Sequence, residues 1–216
     1  MHAIVFETYG DPDVLHLRKV ALPEPGPGEV RVAVFAAGTN PVDTSSRRGS
    51  SWAGIRAPAT PGSDASGVID AVGPGVTQFA PGDEVFYMAR FRNNPCGTYA
   101  EYHVIEAALI APKPRTLSHV QAAALPLAAG TAYETIVRRL ALTQGEWVLL
   151  YGAAGGVGTF ALQFAVAQGA QGDRRRPCLS PRLASGIRGG GLPGLHHAEC
   201  AAGGGSESGP QTGCGR

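Results

Sequence analysis

The feature that most limits what this chain can fold into is a break in composition at Gln171. From there to Arg216 the chain has no Val, Phe, Tyr, Trp, Met or Lys. The same stretch holds Cys178, Cys200 and Cys214 and the triplets Gly189–Gly191 and Gly203–Gly205. A segment so poor in apolar groups cannot offset its own ordering entropy. A folded core is therefore expected within residues 1–170, with residues 171–216 irregular and exposed. Over the whole chain, 44% hydrophobic and 16% charged residues fit a soluble globular protein. A formal net charge of +1 offers no global field to nucleic acid or an acidic membrane, so neither is an expected partner. No apolar run is long enough to span a bilayer. The Met1–Glu7 segment lacks the basic-then-apolar pattern of a leader, which makes a cytoplasmic location the expectation. The cysteines show no C-x-x-C spacing and suggest neither a disulfide framework nor a zinc cage.

Before the break, short apolar stretches alternate with Gly/Pro turns. His2–Phe6, Val14–Val20, Glu29–Ala37, Gly67–Val72, Glu84–Tyr87 and Tyr99–Ile105 read as strands, and Glu29–Ala37 alternates at period two around Val30, Val32 and Val34. Gly73-Pro74-Gly75 and Pro81-Gly82-Asp83 read as the tight turns between them. Many short strands joined in this way predict an irregular β-barrel over residues 1–125. Within it, Asn40-Pro41 reads as a helix N-cap with proline at the first helical position, Asp43 sits in the first turn, and Gly49 ends the helix. After Pro114 the pattern turns helical. Ser118 and Gln121 suggest a capping box, and Pro126 opens a further helix running towards Leu140.

Trp147–Tyr151 is a continuous apolar run, the pattern of a strand buried on both faces. Gly152-Ala-Ala-Gly-Gly-Val-Gly158 follows directly, and then a helical stretch, Thr159–Gln168. Strand, glycine turn, helix is the opening of a βαβ dinucleotide unit. Ala153 shapes the turn. Gly155 lets the backbone approach a pyrophosphate, and Gly158 lets the helix pack closely on the strand. The N–H groups of Gly156, Val157 and Gly158 would face the phosphate at the positive end of the helix. The same glycines also suit an ordinary tight turn with no ligand. The expected fold class is thus α/β, a β-barrel domain (1–125) followed by the start of a truncated Rossmann domain (126–170) and a tail (171–216).

Four segments in order carry a resemblance: Ala37-Gly-Thr-Asn-Pro-Val-Asp43, Gly62–Val85, Gly97-Thr-Tyr-Ala-Glu-Tyr102 and the Gly152–Gly158 turn. Together they resemble the medium-chain dehydrogenase/reductase superfamily over about residues 1–170. The resemblance implies a GroES-like barrel domain joined to a Rossmann domain, with the active site in the cleft between them. Zinc-dependent members place a Cys after the strand that corresponds to Glu29–Ala37, and a Gly-His-Glu where this chain has Gly62-Ser63-Asp64. Here the strand runs into Ala37-Gly38-Thr39-Asn40, and neither Ala37 nor Ser63 offers a zinc ligand. No metal is therefore expected. Within the superfamily, Asn40-Pro-Val-Asp43 with Gly155–Gly158 resembles the zeta-crystallin type of quinone oxidoreductase, with enoyl or alkenal reductases as the nearest alternative.

The resemblance implies hydride transfer from NADPH to a quinone or conjugated enone, and a possible homodimer. Asn40 resembles the residue beside the nicotinamide and the substrate oxygen, although a plain N-cap explains it equally well. Thr131, in Gly130-Thr-Ala132, resembles a nicotinamide contact, or is a Thr of a helix interior. Tyr133 reads as core, and Asp64 and Glu101 as structural partners of turns and strands. Where quinone reductases of this type carry tyrosines, this chain has Ser45, Ser46, Ser50, Ser51 and Trp52, so the pocket is expected to differ.

A Rossmann unit needs a second parallel strand, roughly 20 residues past the glycine turn, that reads the ribose. At that place stands Asp173-Arg174-Arg175-Arg176-Pro177, with no Val, Ile or aromatic run before it. The arginines therefore make a poor 2′-phosphate site, and His196, His197 and Cys200 a poor metal site. The tail has the composition of a GC-rich gene read out of frame, which predicts a frameshift near Gly169–Gln171. Three functional readings stay open: a reductase by family, a barrel remnant without catalysis, and a weak nucleotide-binding module.

Overall fold

The computed structural model describes residues 1–90 and 92–171. The expectations for the tail, including Arg174–Arg176, His196, His197 and Cys200, lie outside the described residues apart from Gln171.

Strands β1 (His2–Val5) and β2 (His16–Lys19) pair antiparallel. Strands β3 (Glu29–Gly38), β4 (Asp64–Val72), β5 (Glu84–Met88), β6 (Tyr102–Glu106) and β7 (Ile110–Pro112) form an antiparallel sheet in the order β6-β3-β4-β5-β7. The strand expected at Val14–Val20 is shorter, because Asp11-Pro12 starts a 3-10 turn that takes in Val14. The strand expected at Tyr99–Ile105 begins only at Tyr102. The backbone of Tyr99 is engaged elsewhere, its N–H donating to Pro61 O and its carbonyl accepting from Ile4. That bond, with bridges Ala3–Ala100 and Phe6–Ala59, attaches the small ribbon to the large sheet.

Period-two alternation sends Val30, Val32, Ile69, Val85, Tyr87 and Ile105 into one core. Helix α1 (Pro41–Arg47) leaves the end of β3 and stops at Gly49, whose φ of +74° suits glycine. Helix α2 (His119–Ala123) has the expected capping box, with Gln121 N–H donating to Ser118 Oγ and Ser118 N–H to Gln121 Oε1. It is fastened to the sheet through His119, which contacts Ser66 Oγ at 2.8 Å and Glu84 at 3.3 Å and stacks on Phe35.

Helix α3 (Pro126–Tyr133) continues as a π-helical turn, Glu134–Arg139. Thr131 and Thr135 donate to the carbonyls of Leu127 and Thr131, and side-chain bonds of this kind bend helices. Helix α4 (Gly156–Ala167) packs against α3 and its π-helical extension. A second core joins Ala132, Ile136, Leu142, Ala161 and Ala165, with Phe160 and Phe164 beside them.

The segment Trp147–Tyr151 departs from expectation. It is not a strand buried on both faces. Val148 and Leu150 pack on the α3–α4 core, while Trp147, Leu149 and Tyr151 are 66%, 76% and 90% exposed. A strand of that kind needs parallel neighbours and a second helical layer. Among the described residues its only ladder contact is one parallel bridge, Trp147–Gln171. Tyr133 was expected in the core but is half-exposed, meeting Phe164 edge-on at 5.6 Å.

Candidate functional site

The register of the sheet creates the first half of the site. Gly38, at the end of β3, pairs with Asp64, at the start of β4, so Asn40 lands beside Asp64 two residues later. The Asn40 amide nitrogen donates to Asp64 Oδ2 at 3.0 Å. Its backbone N–H donates to Asp43 Oδ2 at 2.8 Å, so Asn40 is the N-cap residue of α1 while its side chain faces a second carboxylate. Asp43 also accepts from Ser63 Oγ and from the Tyr99 hydroxyl, each at 3.1 Å.

Both carboxylates are buried, and burial is the largest influence on each. Asp64 is pushed up to about 6, against the donors Asn40 and Leu127 that favour its charged form, with the nearby Asp43 adding to the rise. Asp43 is raised too, by burial, despite four hydrogen-bond donors. Tyr99 is raised by burial and by Asp43.

These shifts set a pH dependence. Asp64 holds its proton more tightly in the fold than in an unfolded chain, where it titrates near 4. Its contribution to stability is therefore largest at low pH and falls as pH rises from about 4 to about 6. Asp43 acts in the same sense. We expect the stability of Asp64→Asn, relative to the parent, to improve between pH 4 and pH 7 by on the order of 2 kcal/mol in urea denaturation. A difference that stays constant over that range would contradict this account.

Helix α3 links this cluster to the second half. A Cβ on Gly38 would lie 2.3 Å from the Ala123 carbonyl oxygen, so only glycine lets the last turn of α2 press onto the sheet there. Chain direction then carries the first turn of α3 over Asp64, where the Leu127 N–H donates to Asp64 Oδ1 at 3.0 Å. The next residue, Ala128, lies against the glycine turn: a Cβ on Gly156 would sit 4.0 Å from its methyl group. Thr131 lies one turn further on, exposed, with its hydroxyl on the Leu127 carbonyl.

In the glycine turn, Gly155 N–H donates to Gly152 O, and Gly155 is the N-cap residue of α4 with no side-chain cap. The first-turn N–H groups of Gly156, Val157 and Gly158 have no acceptor within the helix. Ala153 is buried under the turn, and Val157 is 39% exposed. The structure thus brings Asn40, the first turn of α3 and the turn Ala153–Gly158 into one continuous region.

Sequence reasoning assigned Asp64 to turns and strands. The structure gives it two bonding partners, the Asn40 side chain and the Leu127 N–H 63 residues on, through which it joins Asn40 to α3. Glu101 is structural, receiving the His2 backbone N–H. The chain Ser66–His119–Glu84 has the connectivity of a nucleophile, base and acid. Ser66 is fully buried, however, and its hydroxyl donates to Val85 O, so it is no nucleophile. Among the described residues no three His, Cys, Asp or Glu side chains come together to hold a metal, and no helix is long and apolar enough to cross a membrane.

Residues 26–115 match the alcohol dehydrogenase GroES-like domain. Over 170 residues the chain is 39% identical to a quinone oxidoreductase of Homo sapiens, taking in 78% of this chain and 50% of the human protein. It is 40% identical over 171 residues to a quinone oxidoreductase of Pseudomonas aeruginosa, with the same shares. The chain belongs to the medium-chain dehydrogenase/reductase superfamily, in its quinone oxidoreductase branch. A 2-methylene-furan-3-one reductase of Solanum lycopersicum is also 39% identical, over 171 residues covering 76% of this chain and 44% of the tomato protein. Among solved structures, an alcohol dehydrogenase superfamily protein from Novosphingobium aromaticivorans superposes with a TM-score of 0.75 at 42% identity, covering 79% of this chain and 51% of that one. The Escherichia coli quinone oxidoreductase complexed with NADPH does so with a TM-score of 0.70 at 34% identity and the same shares. The chain spans about half the length of the curated relatives it matches.

Proposed function

We propose that this chain carries the barrel half and the phosphate turn of a zinc-independent, NADPH-dependent reductase of quinones or conjugated enones. The observation that carries the reading is the placement of α3, which bonds to the Asn40–Asp64 pair at Leu127 and runs beside the glycine turn at Ala128. NADPH, when bound, supplies a hydride. The chain's own contribution is positioning and exclusion of water. The N–H groups of Gly156, Val157 and Gly158 would hold a phosphate at the positive end of α4. Gly155 leaves that approach open, since nothing but Gly152 O lies within 4 Å of where its Cβ would be. Thr131 and Asn40 would flank the nicotinamide, with Asn40 meeting the substrate oxygen. The likeness to the Escherichia coli enzyme crystallised with NADPH supports the cofactor, and the tomato reductase supports the enone alternative. The parallel bridge Trp147–Gln171, formed across α4, is the geometry with which a Rossmann crossover begins. Domain limits of 1–125 and 126–170 follow from this reading, with α3 opening the second part.

The test is a titration of the isotope-labelled chain with NADPH at several millimolar. Amide shifts are expected at Gly155–Gly158, at Thr131 and on the Asn40 side chain. Shifts that avoid all three would overturn the reading. Zinc independence has its own check. Ala37 and Ser63 offer no ligand, so the purified chain is expected to hold no stoichiometric zinc by atomic emission. Zinc that survives chelation would reverse that assignment.

A further inference from the structure

We propose that Asp64 is the positioning residue for Asn40, and that through one carboxylate it locks the Asn40 carboxamide and the first turn of α3 to each other. The inference rests on the reading of Asn40 as the ligand-facing side chain. Asp64 is 1% exposed, and each of its oxygens has one donor: Oδ2 takes the Asn40 side-chain nitrogen and Oδ1 the Leu127 N–H, both at 3.0 Å. A carboxylate can only accept, so the nitrogen end of the amide must face it and the carbonyl oxygen must turn away. One of the two amide N–H groups is thereby consumed. The capping box of α1 turns that oxygen towards the Asp43 backbone N–H, so the capacity Asn40 keeps for a ligand is its second amide N–H. Such a group is matched by a ligand oxygen that can accept a hydrogen bond.

The shared carboxylate also couples two parts of the site. A proton on Asp64 makes one oxygen a poor acceptor, so either the amide or the helix turn must loosen. The titratable groups around it are Asp43 of α1 and Tyr99 of the loop before β6, whose hydroxyl donates to Asp43. Neither side chain touches the Asn40 amide, because the Asp43 carboxylate takes the Asn40 backbone N–H instead.

The experiment follows the Asn40 side-chain NH₂ pair, the Leu127 amide and the Asp64 carboxyl carbon by NMR on the full chain between pH 4.5 and 8. One Asn40 proton is expected downfield and slow to exchange at high pH. Asn40 and Leu127 should follow the midpoint of the Asp64 carboxyl, and at least one should exchange about tenfold or more faster below it, the size expected for losing a bond to a charged acceptor. Asp64→Asn should abolish both pH dependences, while Asp43→Asn should leave them in place. Asn40 resonances that stay flat through the Asp64 titration, or that follow Asp43 instead, would overturn the proposal. Should Asp64→Asn not fold, the parent titration alone decides. The result is separable from the functional reading: NADPH shifts that bypass Asn40 would remove its ligand-facing role without touching this titration.

Discussion

The 216-residue chain is expected to show no measurable NADPH-dependent quinone reduction and to bind NADPH more weakly than millimolar, which is less than about 4 kcal/mol of binding free energy. The phosphate turn itself is formed, but its support is one-sided. Val148 and Leu150 lie on the α3–α4 core, while Trp147, Leu149 and Tyr151 present an uncovered edge and face. A sheet needs about three strands, or helices against it, for independent stability. Among the described residues the ladder is one bridge to Gln171. The phosphates have N–H donors at Gly156–Gly158, whereas no described residue is placed to read the ribose at the end of a second strand. Calorimetric titration and the loss of NADPH absorbance with a quinone acceptor check this directly. Joining the second half of a full-length relative, such as the human quinone oxidoreductase, after Ala170 should restore both binding and turnover. Turnover by the 216-residue chain itself, at a rate typical of enzymes, would show that the uncovered edge does not limit it.

Much of this was legible in the sequence because the signals were local. The alternation at Val30, Val32 and Val34 placed β3, and Asn40-Pro41 and Ser118-x-x-Gln121 placed two helix starts to the residue. The Trp147–Tyr151 run was misread because an apolar pattern reports what a strand would bury, not whether neighbours exist to bury it. Its alternation of Val148 and Leu150 inward with Trp147, Leu149 and Tyr151 outward appears only in the structure. Asp64 was undervalued for a related reason. Its partners, Asn40 and Leu127, are 24 and 63 residues away, and nothing local marks a carboxylate that joins them. The π-helical turn at Glu134–Arg139 had a visible cause in Thr131 and Thr135 at a spacing of four, but a helix-period pattern cannot register it.

Two glycines of the same turn are expected to separate folding from binding. Replacing Gly158 by Ala adds a Cβ that would lie 2.2 Å from Gly152 O and 2.6 Å from Ala153 Cα. These are backbone atoms of the turn and cannot swing aside, so the start of α4 must lift. Lifting it pulls Ala161 and Ala165 away from Ala132 and Ile136. The expected loss is about 3 kcal/mol or more, in the upper range for overpacking, even though Ala is the better helix former by about 1 kcal/mol. Gly155 differs. Its φ of −79° is open to any residue, and its Cβ would meet only Gly152 O at 3.3 Å. Gly155→Val is therefore expected to cost less than Gly158→Ala, about 1 kcal/mol, the scale of losing a favourable N-cap residue. It should erase the NADPH-induced shifts at Gly156–Gly158, because the side chain stands where a pyrophosphate would approach. Urea denaturation followed by hydrogen exchange within α4 measures the first effect, and the millimolar NADPH titration measures the second. Equal destabilisation by the two substitutions, or full retention of the shifts in Gly155→Val, would mean that the turn does not divide its work in this way.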